Sequence, residues 1–376
     1  MNIDSIESII IDLPTKRPHK LAMATINSQS LVIVRIRDAD GAEGIGEASV
    51  IPHYGSETVE AIKAVIDGYL APVLIGMNPA DLELLHQRMN GALKDNHYAK
   101  AAVEMACVDL AARRLGVPAS TLFGGSLRER LDVLLVLGNG DAPRDIALAE
   151  EKLESREHRL FLVKVGKGDL RADVERASAV KKALGERARV HVDANQCWNE
   201  AEATWAIERL ERAGIAVIEQ PLPRADVEGM RRLSERFTVP IMADEAVDTV
   251  ESAFDFARRR AADAFSIKPT KHGGLLPTRK VATIAETAGI SLFGGTMLES
   301  GIGTAAYAQL FSTVHGLDWG CQLFGPLLFA DSITVGAPQY RDFQLVVPSG
   351  PGFGMQIDED KLSFYSRESG RSRRAA

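Results

Sequence analysis

HVDANQCW, residues 191–198, puts Asp193 at the end of a short apolar run. Glu219 closes a second such run in AVIEQP, and Asp244 a third in PIMADE. The three acids sit roughly 25 residues apart, about one strand, one helix and two loops. If each run is a strand of a closed parallel barrel, the carboxylates converge on one mouth. A lone aspartate at a strand end is usually a helix cap or a solvated turn residue. An evenly spaced set, each member after an apolar run, is hard to obtain by accident. Such carboxylates repel one another, and all-oxygen ligation suits Mg²⁺ or Mn²⁺ better than zinc.

Working outward, a strand–loop–helix grammar repeats from Leu131 onward. The candidate strands start at Val133, Phe161, Ala188, Ala216, Pro240, Ala264, Ile290 and Trp319. An eight-stranded parallel barrel is the economical reading, here a TIM-like (β/α)7β barrel over 129–340. A doubly wound sheet is the runner-up, but it would not gather side chains from so many strand ends. Residues 1–128 read as an α+β capping domain. Ile6–Leu13 is a strand and PHKLAMATINSQ a loop. Leu31–Arg37 and GIGEAS form a hairpin that turns at Asp40-Gly41, with Glu47 buried and hydrogen-bonded on the return. Helical patterns follow, the first starting near Glu57 behind a Ser56 cap and the last ending at Gly116. Residues 341–376 are expected to return to the capping domain and end in a frayed tail.

Bulk properties exclude several classes. The 376 residues carry net charge −7, 45% hydrophobic and 25% charged residues, ordinary values for a globular chain. The body has no long basic run, which argues against nucleic acid. No apolar run reaches membrane-spanning length and no signal-peptide pattern opens the chain. Cys107, Cys197 and Cys321 form neither a disulfide framework nor zinc spacing, so a reducing cytoplasm is expected.

The remaining strand ends supply Lys164, Asn195, Glu245, Lys268 and, just beyond the seventh strand, Glu299. Lys164 and Lys268 lie on opposite sides of the acid trio in barrel order. Burial beside a dication would lower a lysine pKa, giving a base able to take a proton next to a carboxylate. Glu245 is expected to orient Lys268. Glu299 reads equally as a substrate-facing acid or a loop carboxylate. Lys167, Lys271 and His272 read as solvated loop residues, and His191 should point inward beneath Asp193.

These residues resemble a known set. IDLPTKRPHKLAM, GIGEAS, YAKAAVEMACVDL, FLVKVG, VDANQCW, IEQP, IMADE, FSIKPTKHGG, GGTMLESGIGT, LFGPLLFAD and PQYRDFQL occur in that order across nearly the whole chain. Together they are similar to the enolase superfamily, and the GGTMLES and LFGPLL segments to its muconate cycloisomerase group. The resemblance implies metal ligation by Asp193, Glu219 and Asp244, and acid–base work by Lys164 and Lys268. It also implies a working carboxylate at Glu299, with Asn195 and Glu245 behind these groups. Substrate contacts would come from Met23, Tyr54, Thr296 and Phe324. It implies a small dicarboxylate substrate, cis,cis-muconate or a substituted relative, and a homo-oligomer, plausibly an octamer. Racemase, epimerase, dehydratase and succinylbenzoate-synthase-like activities run on the same scaffold. A metal-stabilised binding protein without turnover is the reading from outside enzymes. One departure stands out: Leu162 occupies the place of the first lysine of the family's Lys-x-Lys, on the same inward face as Lys164. Lys164 then feels less like-charge repulsion, so its pKa should exceed that of a relative with both lysines.

Overall fold

The computed structural model describes residues 2–20, 25–55, 57–138, 140–166 and 168–369. Met23, Ser56, Lys167 and the last seven residues, 370–376, lie outside the described residues.

The capping module begins with three antiparallel strands, β1 (Ile3–Lys20), β2 (Thr25–Asp38) and β3 (Glu43–Ser49), in spatial order β1-β2-β3. β2 is central, and its Leu31–Val34 run is fully buried, as expected where both faces are covered. The β2–β3 turn is held by Asp38, whose carboxylate accepts the N–H groups of Asp40 (3.1 Å) and Ala42 (3.0 Å), with Gly41 at φ 82°. PHKLAMATINSQ is expected to be a loop, but its described residues are strand at both ends: β1 runs to Lys20 and β2 starts at Thr25, pairing His19 with Ile26 and Lys20 with Thr25, while residues 21–24 lie outside the described residues. β1 is an edge strand, where Pro14 and Pro18 need no ladder partner for a missing N–H, and a register shift between Pro14 and His19 absorbs them.

Four helices follow: α1 (Val59–Val65), continued by a wider turn at Ile66–Leu70, α2 (Ala71–Leu74), α3 (Leu82–Ala92) and α4 (His97–Leu115). α1 starts two residues later than expected, and Thr58 caps it by accepting from the Ala61 N–H at 3.3 Å. α4 lies directly on β3. A Cβ at Gly46 would stand 2.0 Å from the Ala102 carbonyl oxygen, and one at Gly44 2.2 Å from that of Ala106. The glycines of GIGEAS are therefore what lets the helix dock.

Seven parallel strands form the second module: β5 (Leu134–Leu137), β6 (Leu160–Lys164), β7 (Arg189–Asp193), β8 (Val217–Glu219), β9 (Ile241–Ala243), β10 (Ala264–Ile267) and β11 (Ser291–Gly294). They are adjacent in sequence order and alternate with α5 (Ala142–Glu154), α6 (Leu170–Leu184), α7 (Glu200–Arg212), α8 (Val227–Arg236), α9 (Val250–Arg259), α10 (Pro269–His272), α11 (Leu275–Ala288) and α12 (Gly301–Phe311). Asp141, Asp169, Asn199, Asp226 and Thr249 cap α5 to α9 through their side chains, the polar ends that stop each loop and start each helix. The expected eighth strand from Trp319 shrinks to Cys321. That residue bridges Val133 on one side and Gly294 on the other and closes the barrel. Leu134 N–H donates to the Cys321 carbonyl (2.7 Å) and Gln322 N–H to that of Gly294 (2.7 Å).

The C-terminal segment touches both modules. β12 (Tyr340–Arg341) and β13 (Gln344–Val346) pair with β4 (Arg130–Asp132) just ahead of the barrel. Beyond them Phe353 N–H donates to Asp109 on α4 (2.7 Å), and Arg367 pairs with Asp12 (2.8 Å). The expected fray is thus corrected as far as Ser369: Arg367–Ser369 forms a helical turn anchored to the cap. Among the described residues no helix is long and apolar enough to cross a membrane.

Candidate active site

Parallel register sets the geometry. Lys164 pairs with Asp193 and Asp193 with Glu219, while Glu219 pairs with Met242, two residues before Asp244. Lys268 follows directly on β10. Because the strand C-termini share one end of the barrel, the side chains line its mouth in the order Lys164, Asp193, Glu219, Asp244, Lys268. The trio and Lys268 are buried.

Each lysine reaches inward to the nearest acid. Lys164 Nζ donates to Asp193 Oδ2 and to Asn195 Oδ1 (2.9 Å). Lys268 Nζ donates to Asp244 Oδ2 (2.6 Å) and to the Tyr54 hydroxyl (2.8 Å), and lies 4.1 Å from the centre of that ring. The Tyr54 hydroxyl in turn donates to Asp244 Oδ2 (2.8 Å), so the capping module reaches the barrel mouth here. Burial works against both ammonium ions, but the acids around them outweigh it and hold Lys164 and Lys268 above the usual lysine value. The expected lowering is therefore not what the protein's own charges produce. Burial also raises Asp244, yet Lys268 and Lys271 overcome it and hold that carboxyl well below its ordinary range.

Glu219 bears most directly on a cation. It is buried and, among the described residues, no group donates a hydrogen bond to its carboxylate. Burial, then the charges of Asp193 and Asp244, push its pKa well above the carboxylate range. Among the described residues no three acidic, histidine or cysteine side chains are drawn together tightly enough to grip a metal ion. Lys164 and Lys268 take up oxygens of Asp193 and Asp244 instead. The donor set nonetheless suits a hard divalent cation, which would neutralise the carboxylate that has no partner of its own.

Other expected residues fall around this row. Asn195, at φ 41°, donates from its backbone to Asp193 Oδ1 (2.8 Å) and from Nδ2 to Glu245 Oε1 (3.1 Å). Glu245 is thus bonded to Asn195 rather than to Lys268, and burial with the charge of Asp244 pushes its pKa up to about 7. Glu299 is buried and accepts from the Thr296 hydroxyl (2.5 Å) and the Met297 N–H (2.6 Å), so the two expected residues of that loop meet each other. Phe324 is buried next to Gly325, whose missing side chain leaves room for the Glu299 carbonyl. His191 lies below Asp193, edge-on to Phe293 and Trp319, with burial lowering its pKa to about 3.

Lys271 and His272 are corrections, because both are buried rather than solvated. Lys271 Nζ donates to Asp244 Oδ1 (2.9 Å), the Asp244 carbonyl (2.6 Å) and the Ser266 carbonyl (2.9 Å). No local signal places it there, since Lys268 is the extended residue before α10 and a helix of four residues carries no readable period. His272 Nδ1 lies 3.1 Å from the Asp248 carbonyl. A cavity of about 450 Å³ opens beside the row, between Tyr54, Glu57 and Asn96 of the cap and Arg224, Glu245 and Lys271 of the barrel.

Residues 5–124 match the mandelate racemase / muconate lactonizing enzyme N-terminal domain, and residues 144–361 the enolase C-terminal domain-like family. The chain belongs to the mandelate racemase / muconate lactonizing enzyme family. It is 47% identical over 369 residues to muconate cycloisomerase 1 of Pseudomonas putida, covering 97% of this chain and 98% of that one. It is 43% identical to a chloromuconate cycloisomerase of Delftia acidovorans, covering 98% and 100%. Its fold superposes with TM-score 0.95 and 47% identity on muconate lactonizing enzyme from Pseudomonas fluorescens complexed with muconolactone, covering 97% and 99%. That family carries the cap and barrel in the arrangement found here.

Proposed function

We propose that the protein is a muconate cycloisomerase, an isomerase that interconverts cis,cis-muconate or a substituted muconate with a muconolactone. One observation carries the reading: two lysines, Lys164 half-buried and Lys268 buried, flank a row of three strand-end carboxylates. The likeness to cycloisomerases along the whole chain supplies the substrate class.

Asp193, Glu219 and Asp244 would hold a divalent cation, Mg²⁺ or Mn²⁺, whose charge stabilises the negative charge that develops on the neighbouring substrate carboxylate. The distal carboxylate of muconate attacks the double bond within the same molecule. A C–O bond forms and the π pair moves toward the α-carbon and its carboxylate. Little entropy is lost, because the nucleophile is already tethered. Lys164, held as an ammonium by Asp193 and Asn195, gives its proton to the α-carbon and is left as the neutral amine. In the reverse direction the amine takes that proton back from the lactone. Lys268 stands on the other side of the acid row, where its charge faces the same developing anion. Glu299, Thr296 and Phe324 would shape the far end of the pocket, and Tyr54 the lid. A cytoplasmic homo-oligomer, an octamer by resemblance, belongs to the same proposal.

The lysines on opposite sides also suit exchange of an α-proton from either face, the requirement of a racemase or epimerase. A screen for lactone formation and α-proton loss across muconates, chloromuconates and N-acyl amino acids separates the two. The direct test is Lys164→Met, expected to lower kcat on muconate about 10²- to 10⁴-fold while the metal still binds. Undiminished turnover with metal bound would remove the assignment.

A further inference from the structure

Two barrel helices are completed at their N-termini by the other module. α11 starts at Gly274, which has no side chain to cap it. The acceptor is Glu104 of α4, which takes the Leu275 N–H at 2.5 Å and the Leu276 N–H at 2.8 Å. α12 starts at Ser300, and Glu47 of β3 takes the Ser300 N–H at 2.7 Å, the Gly303 N–H at 3.2 Å and the Ser300 hydroxyl. Both glutamates are buried. The first N–H groups of a helix have no partner within it, and the helix dipole favours a negative charge at that end.

Each helix comes shortly after a candidate working residue. Lys268 is followed by α10, Gly273 and Gly274, and then α11. Glu299 is followed by Ser300 and α12. The cap holds these loops by their main chains as well. His97 on α4 places Nδ1 3.1 Å from the Lys271 carbonyl. The Ser49 hydroxyl on β3 donates to the Met297 carbonyl (2.5 Å) and lies 3.0 Å from that of Leu298. The glutamate sites also explain part of the sequence: a Cβ at Gly274 would sit 2.5 Å from Glu104 Oε2, in a backbone conformation (φ 143°) that side chains rarely adopt. The second glycine of KHGG is where the cap's carboxylate enters the barrel.

We propose that Glu47 and Glu104 are positioning residues: carboxylates of the capping module that complete the N-termini of two barrel helices and thereby fix where Glu299 and Lys268 stand. The inference rests on the functional reading above, since it takes Lys268 and Glu299 as working groups. Glutamine keeps the shape of each side chain but can accept at one oxygen only, so an N–H at each helix start loses its partner.

The experiment is a pair of double-mutant cycles on the metal-loaded, full-length enzyme. Glu104→Gln is expected to lower kcat on muconate about 10- to 100-fold with little change in KM, the size of effect a misplaced group produces. In a Lys268→Ala background it should lower kcat no further. Glu47→Gln should behave likewise against Glu299→Gln, whereas the crossed pairs should multiply. A role in stability alone would lower the urea midpoint of both variants and leave kcat unchanged, and that result overturns the inference. So do losses that multiply fully within each cycle. If Lys268→Ala and Glu299→Gln themselves turn over muconate normally, the functional reading fails instead. Should either glutamine variant not fold, His86→Ala and Ser300→Ala run the same cycles, each leaving the carboxylate in place and removing one of its bonds.

Discussion

Lys268 Nζ stands 2.6 Å from Asp244 Oδ2, an ion pair formed between two strand ends inside the barrel mouth. Lys164 and Asp193 make the matching pair on the other side of Glu219. The acid row is therefore partly neutralised by the protein's own cations.

Metal removal should consequently silence the enzyme without unfolding it. Chelation with EDTA is expected to abolish turnover while the far-UV circular dichroism stays native at 25 °C. The melting temperature should fall only as far as the lost binding energy requires, about 3 kcal/mol for a metal held at a hundredfold excess over its Kd. Collapse of the spectrum on chelation would show that the lysine pairs do not carry the acids.

Lys271 gives a second expectation. It satisfies one oxygen of Asp244 and stitches the ends of β9 and β10 through two carbonyls. Lys271→Met takes the lysine's donor away from Asp244 Oδ1 and the Ser266 carbonyl, although the Asp244 carbonyl keeps the Val247 N–H and Oδ2 keeps Lys268 and Tyr54. A loss of about 3 kcal/mol is expected, at the lower end for a broken buried pair. Urea denaturation measures it, and a loss within the range of ordinary surface substitutions would mean that the lysine is not needed there.

Glu47 should make stability depend on pH. Burial pushes its pKa from 4.5 up to about 7, outweighing the hydrogen bonds from Ser300 and Gly303. Between those values the folded protein keeps a proton that the unfolded chain releases. The resulting stabilisation is full below about pH 4.5 and is lost as pH rises through about 7, a change on the order of 3 kcal/mol. Glu47→Gln has no such proton. The stability difference between parent and variant should therefore shift against the parent from about pH 5 to about pH 8, and a difference that stays constant would contradict the shifted pKa.

Two glycines should respond very differently to alanine. At Gly46 the new Cβ meets main-chain atoms of α4, the Ala102 oxygen at 2.0 Å and the Ala106 nitrogen at 2.7 Å, so the helix itself must move. At Gly41 no atom lies within 4 Å and only the left-handed turn conformation (φ 82°) resists. Gly41→Ala is expected to cost about 1–2 kcal/mol, and Gly46→Ala at least about 3 kcal/mol, at the top of the overpacking range. Equal urea midpoints for the two variants would argue against the packing described for α4 on β3.

The acid row was legible because each of Asp193, Glu219 and Asp244 ends an apolar run short enough to be a buried strand, and the helices between them announce themselves with cap residues such as Asn199 and Thr249. The β1–β2 extension was not, since its prolines and polar residues carry no alternation and only its position at a sheet edge tolerates them. Lys271 hid because a helix of four residues has no period to read; the barrel wall alone decides which way its side chain points. Glu245 is expected to orient Lys268, but the left-handed Asn195 backbone accompanies an amide that bonds Glu245 instead. The contact between Glu104 and Leu275 spans 171 positions and leaves no local trace at either end.

Closing the cylinder on a single cysteine leaves a seam. Most neighbouring strands are laced by several paired positions, whereas Cys321 makes a single bridge on each side, to Val133 just ahead of β5 and to Gly294 of β11. Thermal fluctuations should part the wall there before anywhere else, so backbone amides flanking the seam, such as Leu134 and Gly294, trade hydrogen with solvent ahead of Val192 in the middle of the wall. The molecule thus has a built-in place to come undone, on the far side of the cylinder from its row of acids.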